Sequence, residues 1–322
     1  MMDITTIRSL IKEDMQAVDA LIYERLYSEV PLVNQIGHYI VNSGGKRLRP
    51  ALVLLATQVF GYKGIHHIEL AAIIEFIHTA TLLHDDVVDA SELRRGKQTA
   101  NHLWGNEASV LVGDFLYSRS FQMMVNVHNM RVMEILSDAT NVIAEGEVLQ
   151  LINCHEPDTT EEDYLRVIRS KTAKLFEAGT QIGAVINEQW QHEEALATYG
   201  RHLGTAFQLI DDVLDYSSHA DDIGKNIGDD LVEGKPTLPL IYALRESTSE
   251  QHALLRKAVI NGGKEYIEPV QQAIASTNAI AYTAQAAQQE VDKAIAALAN
   301  LPPSPYLDAL HGLAHFAVNR SH

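Results

Sequence analysis

Apolar residues recur along almost the whole chain at i, i+3 and i+4, the spacing that lines one face of an α-helix, while strand-like alternation is scarce. Prolines and glycines punctuate these stretches. Pro31, Pro50, Pro157, Pro236, Pro239, Pro269 and the Pro302-Pro303-Ser304-Pro305 break mark joints, and Gly61-Tyr62-Lys63-Gly64 and Asn261-Gly262-Gly263 mark turns. After Pro157-Asp158, the run Thr159-Thr160-Glu161-Glu162 reads as a capping box and predicts a helix from there to about Ile186. Ala51–Phe60 is apolar but far too short to cross a bilayer, and nowhere do about 18 apolar residues run uninterrupted, so no transmembrane span is expected. Met1 to Asp14 carries acids early and has no continuous apolar core, so it does not read as a secretory signal. No linker or low-complexity stretch divides the chain; one all-α domain over residues 1–322 is expected.

The pattern is broken most sharply at two places with nearly the same spelling, Leu83-His84-Asp85-Asp86-Val87-Val88-Asp89 and Leu209-Ile210-Asp211-Asp212-Val213-Leu214-Asp215. On a helix, positions i and i+4 differ by about 40° around the axis, so Asp85 and Asp89 share a face, as do Asp211 and Asp215. Asp86 and Asp212 point roughly 100° away, the direction of groups that orient their neighbours. Like charges one turn apart cost a few tenths of a kcal/mol in water and more when partly buried, so something positive must offset them. Mg²⁺ favours carboxylate oxygen and typically takes one or two carboxylates, water and substrate phosphates. Two such faces therefore suggest Mg²⁺ ions held between opposed helices to grip a diphosphate.

Composition narrows the setting. The 322 residues are 46% hydrophobic and 21% charged, which is globular rather than disordered. A net charge of −17 without a basic patch argues against a nucleic-acid partner. A single cysteine, Cys154, excludes an internal disulfide, fits a reducing, cytoplasmic compartment, and reads as a packed thiol.

Cations accompany the acids. Gly44-Gly45-Lys46-Arg47-Leu48-Arg49-Pro50 is a glycine turn with three cations at an expected helix start; alone, it reads equally as an anion site or a solvated turn. Arg94-Arg95-Gly96 follows the first acid set where the chain leaves the helix, a place where cations also complement the dipole. Lys171-Thr172 sits mid-helix, where such a pair is by itself ordinary surface. Gly224-Lys225-Asn226-Ile227-Gly228 and Glu233-Gly234-Lys235-Pro236-Thr237 follow the second set as a glycine-punctuated loop, either a phosphate cover or plain turns. His78 lies seven residues before Asp85, within about 20° of its face, and is either a core histidine or a diphosphate contact. Gln208, one turn before the second set, can offer an amide hydrogen to a phosphate oxygen. No single piece decides; their order along one chain does.

In that order the sequence resembles the trans-type polyprenyl diphosphate synthases, from the Gly44–Pro50 turn through Leu82–Asp89 and Arg94-Arg95-Gly96 to Gly234-Lys235-Pro236-Thr237-Leu238-Pro239-Leu240, and among them most the bacterial octaprenyl-forming group. The resemblance implies an all-α, single-domain helical bundle of the isoprenoid synthase type, a central cavity between two aspartate-rich helices, and a homodimer. It implies that Lys46, Arg49, His78 and Arg95 hold isopentenyl diphosphate, and that Arg94, Lys171, Thr172, Gln208, Lys225 and Lys235 hold the allylic diphosphate. Asp85, Asp89 and Asp211 would be the main metal ligands with Asp215 in support, for three Mg²⁺ ions when substrate is bound. Arg94 and Lys171 would share in catalysis with the acids. Residues 224–235 would form the lid. Beyond about residue 245 no motif stands out.

Charge then dictates the expected chemistry. Mg²⁺, Lys and Arg stabilise a leaving diphosphate, the allylic C–O bond ionises, and the isopentenyl double bond attacks the cation. Product length is a matter of space beneath the first acid helix. The small Ala80 and Thr81 predict an open tunnel and a long product; the resemblance implies octaprenyl (C40), with a hepta-, nona- or short-chain product as the alternative. By helix angle Ala80 lies about 140° from the Asp85 stripe, which favours Thr81. Met123 and Met124 are candidates for the tunnel floor or ordinary core. A terpene synthase would not need a second cationic diphosphate site, and a non-catalytic partner subunit typically lacks one acid set.

Overall fold

The computed structural model describes residues 2–217 and 228–319. Among them the helices are α1 (Ile4–Leu10), α2 (Lys12–Arg25), α3 (Pro31–Val41), α4 (Leu48–Gln58), α5 (His66–Val88), α6 (Ala100–Trp104), α7 (Asn106–Asn126), α8 (Met130–Asn153), α9 (Glu161–Ile168), α10 (Lys174–Val185), α11 (Glu193–Ser217), α12 (Asp229–Val232), α13 (Leu238–Glu246), α14 (Ser249–Asn261), α15 (Ile267–Ser276), α16 (Ala279–Ala297) and α17 (Pro305–Asn319). The all-α expectation holds. Its one exception among the described residues is a hairpin of two-residue strands, β1 (Leu93–Arg94) and β2 (Lys97–Gln98), paired antiparallel.

Helices begin where the sequence supplies caps. The Asp3 carboxylate accepts from the Thr6 amide at 2.7 Å, and Pro31 opens α3 with its φ already helical. Thr160 and Asp163 form a reciprocal capping box at α9, as do Thr248 and Gln251 at α14. The helix predicted from this box to Ile186 is interrupted. α9 ends at Ile168, Arg169–Ala173 form a π-turn, and α10 carries on from Lys174. Gly146 of α8 lies against that turn: a Cβ there would stand 2.8 Å from the Lys171 amide nitrogen and from Ser170 Cβ. Lys171 and Thr172 thus sit in a local widening of the helix, a feature often found at functional sites.

The chain forms two compact units. The first comprises Met1–Thr140, Leu175–Gly200 and Ala297–Leu313, the second Asn141–Lys174, Arg201–Ala296 and Ala314–His322. In the first, α4 is buried from Pro50 through Thr57, and α5 packs chiefly against α7, α4 and α2. The apolar Ala51–Phe60 run is therefore a core helix. Leu70, Ile73, Ile74, Phe76, Ile77 and Leu83 of α5 are wholly buried. At about 2 kcal/mol each they contribute on the order of 10 kcal/mol, enough to hold α5 helical despite the acids at its end.

In the second unit, Tyr216 and Leu231 pack with Leu240, Leu244, Leu255, Val259, Val270 and Ile274. A second cluster joins Tyr164, Ile168, Leu209, Ile210, Leu238 and Ile241. The motif-free stretch after residue 245 thus has a role: α14 and α15 build the socket for Tyr216, one residue past the second acid set. Among the described residues no helix is long and apolar enough to cross a membrane.

Candidate active site

The first acid set closes α5, with Asp85 and Asp86 in its last turn and Asp89 as its C-cap, whereas Asp211, Asp212 and Asp215 lie within the last two described turns of α11. Neither last turn contains a basic residue. The negative pole of the helix dipole lies at the end of α5, so Asp85 and Asp89 stand where stability would favour a cation, at a cost of about 0.3–1 kcal/mol apiece. In both sets the i, i+4 repulsion adds to the cost. A cation bound at these oxygens would offset it.

In the first unit the middle acid is held from within through one of its two oxygens. Asp86 is wholly buried, and Arg94 donates to its Oδ1 from Nε and Nη2, both at 2.7 Å. Burial lifts the Asp86 carboxyl above its usual range, and Arg94 opposes that shift. Asn101 donates to the Asp86 carbonyl at 3.0 Å. Asp86 therefore orients its neighbours, as its helix angle predicts, and aims Arg94. Asp85 and Asp89 remain partly exposed. His84 turns away toward α7, 3.3 Å from Asp114 and stacked on Tyr117.

The hairpin after α5 delivers two cations. Arg95 and Gly96 are its central residues, at φ 54° and 73°, which are the positive values of a type I′ turn. Tyr39 donates to the Gln98 carbonyl at 2.6 Å and Lys97 to the Asn42 carbonyl at 3.2 Å, seating the hairpin on α3. Arg95 Nη1 donates to the Gly44 carbonyl, and a Cβ on Gly45 would stand 2.6 Å from that nitrogen. Gly45 thus makes room for the Arg95 guanidinium, while Gly44 is favoured by its φ of 84°. Lys46 is exposed at that turn. Arg47 caps α4 at φ 48° and pairs with Glu75 at 2.6 Å, so it holds the turn to α5.

Arg49 points the other way. Its guanidinium lies over the Phe176 ring at 4.6 Å and donates to His78 Nε2 at 3.0 Å. Because arginine can only donate, Nε2 accepts, and the imidazole proton is assigned to Nδ1. Burial and then the charges of Arg49, Arg95, Arg94 and Arg47 hold His78 well below its usual pKa. Burial and the Arg94 charge likewise pull Arg95 down. Of these four guanidiniums Arg94 is paired with Asp86 and Arg47 with Glu75, while Arg49 bonds the imidazole directly.

The His78 shift has a measurable consequence. Near pH 6.5 and below, the unfolded chain takes up a proton at this residue that the folded pocket refuses. Its effect on stability is nil well above that pH, and stability declines as the pH falls through and below it. His78→Gln is expected to flatten that part of a Tm–pH curve; an unchanged slope would place the proton elsewhere.

In the second unit Asp211 is exposed and Asp215 half-buried, while Asp212 is buried. Tyr164 donates to Asp212 Oδ2 at 2.5 Å and Gln208 Nε2 to Oδ1 at 2.9 Å; Thr172 donates to Gln208 Oε1 at 3.0 Å. Gln208 thus spends one amide hydrogen and its carbonyl inside the protein rather than facing outward in full. Burial, then the Asp230 charge, raises Asp212 well above the usual carboxylate range, and burial and Asp212 keep the Tyr164 phenol protonated. Lys171 pairs with Glu147 at 2.6 Å, and Lys235 with Glu233 at 2.6 Å. Lys225, with the first part of the loop read as a lid, lies outside the described residues.

Below the acids, Ala80 is wholly buried, whereas Thr81 is partly exposed with its hydroxyl bonded to the His78 carbonyl at 2.8 Å. Met123 and Met124 are equally buried on α7, and nothing in their setting singles out Met123. Sequence reasoning passed over Tyr164, Phe176 and Glu147. Each is a residue type that fits a helix face without further meaning, and only the fold reveals its polar or stacked partner.

Divalent cations fit the donor set. Among the described residues no three His, Cys, Asp or Glu side chains converge on a point. Each helix end instead presents one or two oxygen-bearing acids, which suits a hard ion that completes its shell with water and phosphate. A helical fold whose helix ends expose paired acids, with arginine-rich turns alongside, defines a prenyltransferase of the all-α isoprenoid synthase class. Residues 30–277 match the family described as Polyprenyl synthetase. The chain is 55% identical over 321 residues to the octaprenyl diphosphate synthase of Escherichia coli K12, covering 99% of both. A polyprenyl synthase from Caulobacter crescentus, solved with calcium and isoprenyl diphosphate, superposes with a TM-score of 0.95 at 43% identity, over 98% of this chain and 97% of that one. A decaprenyl diphosphate synthase from Rhodobacter capsulatus gives 0.93 at 47%, over 98% of each. The chain belongs to the polyprenyl synthetase family.

Proposed function

We propose that the protein condenses isopentenyl diphosphate repeatedly, head to tail, onto an allylic diphosphate, farnesyl diphosphate being the primer, and releases all-trans octaprenyl diphosphate (C40) for a quinone side chain. The observation that carries this reading is the second set of cationic side chains, Arg49 bonded to His78 and Arg95 seated on the Gly44–Lys46 turn. An enzyme that only ionised and cyclised one diphosphate would need the acids but not a second anion site. Lys46, Arg49, His78 and Arg95 hold isopentenyl diphosphate, with His78 donating from Nδ1. Arg94, Lys171, Thr172, Gln208, Lys225 and Lys235 serve the allylic diphosphate.

Asp85, Asp89 and Asp211, with Asp215 in support, would hold Mg²⁺, three ions with substrate present; bound there, the metal would supply positive charge against the leaving diphosphate. Arg94, aimed by Asp86, and Lys171, held in the π-turn, add fixed positive charge to the leaving oxygens. The isopentenyl double bond then attacks the allylic cation and a proton is lost, with the released diphosphate as the acceptor. The apolar residues of α5 keep water from quenching the cation. Residues 1–322 work as one catalytic domain, and two copies pair through the exposed apolar stripe of α7, where Leu111, Phe121 and Val125 lie.

Incubation with farnesyl diphosphate, labelled isopentenyl diphosphate and Mg²⁺ tests the proposal. A ladder of products ending at C40 supports it. A ladder ending at another length corrects the product alone. A cyclised hydrocarbon, or no Mg²⁺-dependent turnover, refutes it.

A further inference from the structure

The middle acid of the second set lacks what its counterpart has. Asp86 is buried against a cation, Arg94. Asp212, 2% exposed, has both oxygens filled by neutral donors, Tyr164 on Oδ2 and Gln208 on Oδ1. A buried carboxylate needs such donors or it turns toward water. Here water lies on the side of Asp211 and Asp215, one residue and one turn away.

We infer that Tyr164 is a positioning residue for the diphosphate-binding end of α11, acting through Asp212. The inference rests on the reading of Asp211 and Asp215 as the carboxylates that serve a metal–diphosphate group. Tyr164 is 4% exposed and sits on α9, whose start is fixed by the Thr160–Asp163 capping box. Its ring packs with Ile168, Leu209, Ile210 and Ile241, so the hydroxyl is delivered from a rigid base. From Asp212 the chain of bonds continues through Gln208 to Thr172, which lies in the π-turn next to Lys171.

One run of hydrogen bonds thus ties three things together: the capped helix α9, the widened turn that carries Lys171, and the acid-bearing stretch of α11. Its effect is to keep Asp212 inward, where it cannot displace Asp211 or Asp215 as an oxygen donor. It also fixes the distance between the Lys171 turn and that acid pair. Groups that orient a metal's ligands in this way typically change metal affinity or activity by 10–100-fold when removed.

The test uses the full chain as Tyr164→Phe, Asp212→Asn and the double variant. Tyr164→Phe keeps the ring and loses only the hydroxyl. Calorimetric titration with Mg²⁺ plus inorganic pyrophosphate is expected to show about tenfold weaker binding than wild type. The Mg²⁺ concentration for half-maximal rate should rise similarly, and kcat should fall, while KM for isopentenyl diphosphate stays within about twofold. The double variant is expected to be no worse than Asp212→Asn, because Tyr164 acts through that carboxyl. Thr172→Val breaks the next link, the bond to Gln208, and covers the case in which Tyr164→Phe folds poorly; made in the Asp212→Asn background as well, it should add nothing if it acts through Asp212, whereas a direct diphosphate contact would add a further loss.

Unchanged Mg²⁺–pyrophosphate binding in both Tyr164→Phe and Thr172→Val would overturn the inference. So would additive losses in the double variant, which would mark Tyr164 as packing alone. Failure of the wild-type chain to bind Mg²⁺–pyrophosphate would instead refute the proposed function.

Discussion

Asp85→Asn is expected to cut turnover by about 10³-fold, roughly 4 kcal/mol of transition-state stabilisation, while leaving the fold as stable as before or slightly more so. The two effects have opposite signs because one charge serves opposite ends. At the C-terminal end of α5, one turn from Asp89, the Asp85 carboxylate opposes the helix dipole and its neighbour. Removing it relieves up to about 1 kcal/mol, a rise of at most about 3 °C in Tm. During catalysis the same charge is the counter-ion that a metal–diphosphate group requires, and asparagine keeps the shape without supplying it. Rates at saturating Mg²⁺ and unfolding curves without metal separate the two. Activity lost together with a collapse of Tm would make Asp85 structural; near-normal activity would remove it from the metal site. Asp86→Ala is the contrast. It strands the half-buried Arg94 guanidinium, so stability should fall by about 3 kcal/mol, with activity declining as a consequence.

The acid sets were legible in the sequence because they break a helical pattern with like charges one turn apart, and the basic turn and the Arg94-Arg95 pair because of their order along the chain beside those acids. The all-α class was legible for the complementary reason: apolar spacing near 3.6 persists over most of the chain. What escaped depends on contacts between distant residues. The π-turn at Arg169–Ala173 has no signature of its own and arises beside a glycine on another helix, Gly146. The hairpin at residues 93–98 is too short to alternate. Tyr164 and Phe176 look like core residues and are core residues; their hydroxyl and ring face matter only because Asp212 and Arg49 meet them. Roles that rest on charge pattern can be read from one strand of letters, and roles that rest on a partner cannot.

Thr81→Phe is expected to shorten the main product from C40 to C25 or less, with the first condensation slowed only a few-fold. Thr81 sits one helical turn before Asp85, so a prenyl tail running away from the diphosphate along α5 meets this position early. It is partly exposed, and its hydroxyl bonds to its own helix at the His78 carbonyl, so among the described residues a ring can replace it without orphaning a partner on another element. Ala80 has the same small size but a different setting. It is wholly buried, and a phenyl ring there must displace packed core, typically at 1–3 kcal/mol or more. Short products from Ala80→Phe would therefore confuse a blocked tunnel with a distorted α5, whereas Thr81→Phe isolates the tunnel. Mass spectrometry of dephosphorylated products reads chain length directly, and Tm reports any packing damage. C40 from Thr81→Phe at wild-type Tm would show that the tail does not pass this face of α5. A shift to short chains at wild-type Tm would make chain length a property of free volume beside one helical turn, independent of the charges that break the bond.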